Sequence, residues 1–419
     1  MRLAPGAPLT LSLAFEPDGP PLLAGRVAMD SGLAQLEWSR DVVARKLPVA
    51  ALYYPPEDGL QSARGREFEG LHGFLADSLP EGWGQLLMRK RLAKLGVDIA
   101  SLTPLDRLAL VGRHGRGALV FDPVTTPPGD VETLDLDELA NEATALLCGE
   151  EGRLADTLAG LAGGSGGARP KVHVGFDAAG WISVGEGELS PGFVPWLVKF
   201  RAPSDPVDIG PIEEAYALMA EAAGVGMSPH RLIPARQGPG YFATRRFDRL
   251  EGGRRLHMVS LAGAIEASPH APSTSYDMFL RATLAITRRT ADVRAAFLRM
   301  LFNVLASNRD DHTRQHAYLM GPGGDWRLAP AFDLTYAAGP GGEHYMDIEG
   351  EGRNPTRAHV LRLGARHGFE TPLAAAMIET VRAAVSDWPR YADAAGVSAA
   401  SLREIANVHA RVWDAFDCR

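Results

Sequence analysis

Cysteine is nearly absent from this sequence: Cys148 and Cys418 stand far apart and in no metal-like spacing. That excludes a disulfide framework or a cysteine zinc site, and a reducing cytosol is the expected compartment. Long apolar runs are missing too. None approaches the roughly 20 residues that a membrane-spanning helix needs, so no membrane partner is expected. The opening MRLAPGAPLTLSLAFEPDG has one early Arg and alternating apolar residues broken by Pro and Gly. A signal peptide would want a continuous apolar stretch and a small-residue cleavage site, so this segment reads as the first strand of a folded unit. Positive charge is also in deficit. With 43 Lys and Arg against 51 Asp and Glu, the net charge is −8, which argues against a protein that coats nucleic acid by itself.

What is present is the balance of a globular protein, 46% hydrophobic and 22% charged. A chain of 419 residues exceeds one ordinary core, so two or three packed units are expected. Residues 1–125 read as the first. Strand-like runs at Leu9–Phe15, Leu33–Trp38 and Val49–Tyr54 are separated by Gly, Pro and Asp. Ser78-Leu79-Pro80-Glu81 has the pattern of a capping box opening a helix, and Gly96 is placed to end it. Arg89, Lys90, Arg91 and Lys94 near its end complement the helix dipole, as a solvated face or as a contact for an acidic partner. The Pro-rich stretch Phe121–Asp130 marks a boundary. Residues 126–245 and 246–419 form the second and third units, and in the third Phe297, Met300, Leu301, Val304 and Leu305 fall on one helix face within Asp292–Ala306.

Three segments could carry chemistry. The first, Gly163-Gly164-Ser165-Gly166-Gly167-Ala168-Arg169-Pro170-Lys171, clusters glycines whose amides can approach a phosphate, with cations beside them. It is neither a Walker A loop nor a dinucleotide fingerprint, and a flexible turn is the bland reading. The second is Lys199 within the apolar run Trp196–Phe200, followed by Glu213 and Glu214 at the start of a helix. A buried ammonium is costly unless paired, and a strand lysine with a helix glutamate is how kinases hold nucleotide phosphates. A lysine snorkelling at a strand edge is the alternative.

The third segment is the most specific. A helix ending near Ser307 delivers Asn308-Arg309-Asp310-Asp311-His312, and the turn Gly321–Asp325 lies between Gln315–Met320 and Trp326–Leu334. If that turn closes a hairpin, 320 faces 326 and 313 lies opposite 333, bringing Asp310, Gln315 and Asp333 to one end. Oxygen ligands beside a positioned carboxylate suit Mg²⁺ and phosphoryl transfer. In protein kinases the catalytic Asp precedes its metal-binding Asn by five residues, the spacing of Asp310 and Gln315. A polar loop with turn-stabilising aspartates is the alternative.

At these residues the sequence resembles the HipA-like kinases, toxins of bacterial toxin–antitoxin systems. The resemblance runs through Asp77–Gly84, Gly166–Lys171, Leu197–Phe200, Phe242–Arg249, Phe302–Leu305, Asn308–His312 and Leu328–Leu334. It implies an α+β, bilobal protein-kinase-like fold with an N-terminal mixed β/α subdomain and a mostly helical C-terminal lobe. It implies that Asp310 is the catalytic base, that Asp333 and Gln315 bind Mg²⁺, and that Lys199 holds ATP phosphates with Glu213 or Glu214 as its partner. Gly166, Gly167, Ala168 and Lys171 would belong to the ATP-binding loop. Arg245 and Phe247 would lie in the adenine-reading link between lobes, with Asp248 near the ribose. Two positions depart from the family pattern: Gln315 replaces the usual asparagine, and the phosphorylatable serine's position reads Gly164, leaving Ser165 as the candidate for autophosphorylation.

The activity implied is transfer of the γ-phosphoryl group of ATP to a protein serine or threonine. The target class implied is an aminoacyl-tRNA synthetase or another translation factor, so that growth is restrained. A small helix-turn-helix antitoxin is the implied partner, with DNA contact mainly through it. Two other readings stay open at this point. One is a degenerate kinase that binds nucleotide or antitoxin with little turnover. The other is a metal-dependent hydrolase built from Asp310, Asp311, His312, His316, Asp333 and His344 around zinc or manganese.

Overall fold

The computed structural model describes residues 7–125, 135–150, 152, 154–162, 167–179, 182–183, 189, 192–272 and 274–417. Two five-stranded antiparallel sheets organise the first half of the chain. The first contains β1 (Leu9–Leu13), β2 (Leu22–Asp30), β3 (Leu33–Trp38), β4 (Leu60–Ser62) and β5 (Leu119–Asp122), in the order β4-β3-β2-β1-β5. Between β2 and β3 the chain reverses in two residues, Ser31 and Gly32, both with positive φ. That is the backbone a tight hairpin between right-twisted strands needs.

The second sheet holds β6 (Lys171–Phe176), β7 (Ile182–Ser183), β8 (Val194–Lys199), β9 (His230–Ile233) and β10 (Tyr241–Arg245), ordered β7-β6-β8-β10-β9. Alternation assigns its two faces. Val172, Val174, Phe176, Val198 and Ala243 form one buried core with Trp83, Leu139, Leu146 and Leu158 from three helices. The opposite residues, among them Lys171, Lys199 and Phe242, look into a cleft. The helix Gly82–Lys94 of the first unit thus packs on the sheet of the second, with Lys94 ion-paired to Asp156 at 2.9 Å and Lys90 donating to the Glu150 carbonyl at 2.8 Å.

Beyond residue 245 the chain is mostly helical, but it includes a small sheet of β11 (His257–Ser260), β13 (Ala317–Met320) and β14 (Trp326–Leu328), ordered β11-β13-β14. A parallel pair, β12 (Thr274–Ser275) and β15 (Met346–Asp347), lies further out. Helices Tyr276–Thr287, Thr290–Leu305, Thr371–Ser386 and Trp388–Ala395 share a continuous apolar core with the first sheet, from Leu11 and Phe121 to Phe297, Phe302 and Trp388.

Three local expectations are corrected. Val49–Tyr54 is a turn, with Ala51 and Tyr54 at positive φ. Val49, Ala50 and Tyr54 are buried while Leu52 is exposed, and the third sheet meets the start of the segment: the Val49 and Pro48 carbonyls accept from His257 Nε2 at 2.8 Å and Trp326 Nε1 at 3.0 Å. Ser78 does not cap a helix. The helix starts at Gly82 with Glu81 before it and no side-chain cap, because the Glu81 carboxylate is engaged by Arg314. Finally, Phe121 and Asp122 belong to β5 and pair with β1, so the boundary stretch begins inside the first unit; its residues 126–130 lie outside the described residues.

Candidate active site

The cleft between the second sheet and the helical unit encloses about 1020 Å³, open solvent included. Its inner end is built on paired strands. Lys171 and Lys199 stand directly opposite in the β6–β8 register, both nearly buried. Like charges so placed repel, and carboxylates relieve them. Lys199 Nζ lies 3.2 Å from Glu213 and also contacts Asp333. Glu213 is on the first turns of the helix Ile209–Ala222, while Glu214, one position on, turns away to His230 Nδ1 at 2.9 Å. Adjacent helix positions face different directions, so Glu213 and not Glu214 is the partner of Lys199. Arg169 joins the cluster, 3.0 Å from Asp205 and 3.6 Å from Glu213.

Burial alone would raise the Asp333 carboxyl, but the Lys199 and Lys171 ammoniums hold it well below the usual carboxylate range. Burial would likewise lower Lys199, yet Asp333 and Glu213 raise it above its ordinary value. In Lys171 burial prevails and lowers the ammonium. Asp333 has a positive φ of 58°, rare for a residue with a side chain. The preceding Ala331 is tied to Gly226 by a 2.8 Å backbone bond, which helps hold that turn.

The hairpin forms with Met320 opposite Trp326, as the turn implies. Gln315 Nε2 donates to Asp333 Oδ2 at 3.1 Å, so the two ends of the hairpin do meet. Asp310 lies on the loop after the helix Thr290–Leu305, its carboxylate half-exposed and 3.9 Å from His312 Nε2. Burial raises its pKa, against the opposing pull of His312. His312 lines the cleft, together with Gln315 and Asp333. Behind this loop Asp311 is fully buried and accepts from Tyr276 Oη at 2.6 Å, His344 Nδ1 at 2.8 Å and the Tyr345 amide at 2.8 Å. Asn303 and Asn308 extend the network through Tyr276.

The outer cleft is apolar. Phe247 packs on Phe332 with ring centroids 5.5 Å apart, and Met227, Phe242 and Met258 complete a slot. Arg245 borders it and pairs with Glu251 at 3.2 Å. Asp248 lines it too, but its carboxylate is taken up by Arg246 at 2.7 Å, Arg249 at 2.8 Å and the Gly117 amide at 2.8 Å. Gly167 closes the inner end, its Cα facing Lys171 Nζ so tightly that a Cβ there would stand 2.9 Å from it, and Ala168 follows. Gly166 and Ser165 lie outside the described residues.

Sequence reasoning missed Glu81, Arg116 and Arg314, which also line the cleft. The first two come from the first unit; Glu81 stands in the segment Asp77–Gly84 that carries the family resemblance, whereas nothing in the sequence around Arg116 pointed to the cleft. The hydrolase constellation does not assemble. Asp311 and His344 pair with each other, and His316 is buried against Phe279 at 4.2 Å. Among the described residues no group of three or more His, Cys, Asp or Glu side chains could hold a metal ion by itself.

Two lobes around a cleft whose strand lysine meets a helix glutamate define a protein-kinase-like α+β fold. The HipA-like C-terminal domain model matches residues 163–388, more than half of the chain, and the HipA N-terminal domain model matches 22–122. The chain belongs to the HipA family. Among solved structures it is similar to HipA of the Shewanella oneidensis MR-1 toxin–antitoxin system in complex with HipB and operator DNA. That match has a TM-score of 0.69 at 17% identity and covers 97% of this chain and 96% of that one. The Helicobacter pylori proinflammatory kinase CtkA matches at a TM-score of 0.31 and 11% identity, over 49% of this chain and 89% of that one. No curated protein matches the chain.

Proposed function

We propose that this protein is an ATP-dependent protein serine/threonine kinase of the toxin type, transferring the γ-phosphoryl group to a protein hydroxyl and thereby restraining growth. The observation that carries the reading is the contact of Lys199 with both Glu213 and Asp333 at the inner end of an apolar slot. A base would lie against Phe247, Phe332 and Met258, and the phosphates toward Gly167, Lys171 and Lys199. Asp310 would take the proton of the substrate hydroxyl as it attacks, and its raised pKa makes it a better proton acceptor than an ordinary carboxylate.

The donor set fits Mg²⁺. Asp333 stays ionised, and Gln315, whose N–H is spent on Asp333, keeps its amide oxygen for a metal. Mg²⁺ is commonly held by one or two protein ligands plus waters and phosphate oxygens, which agrees with the absence of a larger cluster among the described residues. When bound, the ion would neutralise charge developing on the transferred group. The family's class of target supports an aminoacyl-tRNA synthetase or another translation factor as substrate. HipB and operator DNA in the Shewanella complex support a small DNA-binding antitoxin as partner, with DNA reached through it.

One observation favours a second reading. Both Asp333 oxygens are already engaged, one by Lys199 and one by Gln315, as suits a nucleotide-binding regulator of low turnover. Incubating the protein with γ-labelled ATP, Mg²⁺ and a cell lysate, followed by phosphoamino-acid analysis, tests the proposal. Labelled phosphoserine or phosphothreonine in a lysate protein is expected. ATP binding without label in any protein would favour the regulator.

A further inference from the structure

The start of the helix Gly82–Lys94 touches two loops of the cleft at once. On one side, Trp83 fastens both ends of the turn Gly167–Lys171: its amide donates to the Gly167 carbonyl at 3.2 Å and its ring Nε1 to the Lys171 carbonyl at 3.1 Å. Gly82 lies so close that a Cβ would stand 2.7 Å from both Ala168 Cα and the Gly167 carbonyl oxygen. Its φ of +40° is also one that side chains resist. On the other side, Glu81 contacts the Arg314 guanidinium.

Arg314 is the residue before Gln315, in the short turn Thr313–Gln315. Its side chain is only 9% exposed, so its charge needs a partner. Asp77 is 3.8 Å away and already accepts from the Ser260 amide at 2.6 Å and hydroxyl at 2.7 Å. Glu81 is therefore the nearest carboxylate with Arg314 as its own ion-pair partner. The bonds of Asp77 fix the base of the same segment to β11.

We propose that Glu81–Trp83 is a brace that sets the spacing of the two loops holding nucleotide and metal. Glu81 positions Gln315 through Arg314, and Gly82 with Trp83 positions the Gly167–Lys171 turn. The inference rests on the nucleotide–magnesium reading of the cleft and assigns the first unit a part in it. Because the two ends of the brace serve different loops, they report separately. Loss of the Glu81 charge loosens the metal side, and crowding at Gly82 displaces the phosphate side.

Calorimetric titration with a non-hydrolysable ATP analogue, in chelator and across a Mg²⁺ series, tests this on the full-length protein. Glu81→Gln is isosteric and partly exposed. It should raise the half-saturating Mg²⁺ concentration at least threefold, and by a larger factor than it weakens Mg²⁺-free affinity. Gly82→Ala should weaken Mg²⁺-free affinity at least fivefold. Should Gly82→Ala fail to fold, Trp83→Phe keeps an aromatic ring, though a smaller one, removes the bond to Lys171 and should shift the same quantity. The brace is refuted if folded variants keep both values within twofold of wild type, or if each variant weakens metal and nucleotide binding by the same factor, as general loosening would. Absence of nucleotide binding by the wild type would instead overturn the kinase reading, and the brace with it.

Discussion

Replacing Lys199 by methionine removes the ammonium that contacts both Glu213 and Asp333, while keeping an unbranched side chain one atom shorter. At an effective dielectric near 20, two charges 3.2 Å apart attract by roughly 5 kcal/mol. Most of that offsets desolvation, and breaking a buried pair typically costs about 3–5 kcal/mol because the abandoned charge stays buried. Arg169 remains 3.6 Å from Glu213 and is 33% exposed, which softens the loss toward the lower figure. With a urea slope of about 3 kcal/mol per molar, a loss of about 3 kcal/mol lowers the unfolding midpoint by about 1 M. The pH dependence has a definite sign. Lys199 helps hold the Asp333 carboxyl below its unfolded value, so the stabilisation is present above about pH 4 and is lost as pH falls through the folded pKa. The gap between wild type and Lys199→Met should therefore be wide at pH 7 and narrow in acid. Urea melts followed by tryptophan fluorescence measure it. Equal midpoints at pH 7, or a gap that widens in acid, would refute the reasoning.

Glu214→Gln should leave nucleotide binding within about twofold of wild type, because Glu214 faces His230, whereas Glu213→Gln should weaken it by about tenfold or more; calorimetry separates them. Asp311→Asn leaves the Tyr276, His344 and Tyr345 donors facing an amide and should cost about 2–3 kcal/mol, read as a lowered thermal midpoint. Burial pushes His72, His257 and His409 down from 6.5 to about 4. The unfolded chain then binds more protons than the native one between those values, so stability should fall as pH drops from 6.5 toward 4. His257 alone would contribute about 3 kcal/mol of that fall, and His257→Gln should flatten the profile in urea melts across this range.

The parts of the cleft that were readable in the sequence are those set by local order. Lys199 sits in an apolar strand run, and the turn at Gly321–Asp325 fixes a hairpin whose register carries Gln315 to Asp333. The choice between Glu213 and Glu214 was not readable, since both open the same helix and only its rotation against β8 and β9 separates them. Val49–Tyr54 has the composition of a strand, yet its start is held by His257 and Trp326 of the third sheet and Ala51 and Tyr54 take positive φ, so the segment turns where the pattern implied pairing. Ser78-Leu79-Pro80-Glu81 matches a capping box letter for letter. What decided its fate was Arg314, far along the chain, whose buried charge takes the carboxylate that the box would have used. Arg116 and Glu81 reach the cleft only because the first unit packs against it, a relation that no local pattern encodes.

The central claim is that this cleft transfers phosphate with Asp310 as the base. The direct measurement is label transfer from γ-labelled ATP with Mg²⁺, comparing wild type with Asp310→Gln while nucleotide binding is followed in parallel. The account predicts labelled protein with the wild type, a rate lowered about 10²–10⁴-fold in the variant, and nucleotide affinity unchanged within twofold. Equal transfer by both proteins would contradict the assignment of Asp310, and binding without transfer by the wild type would contradict the kinase itself.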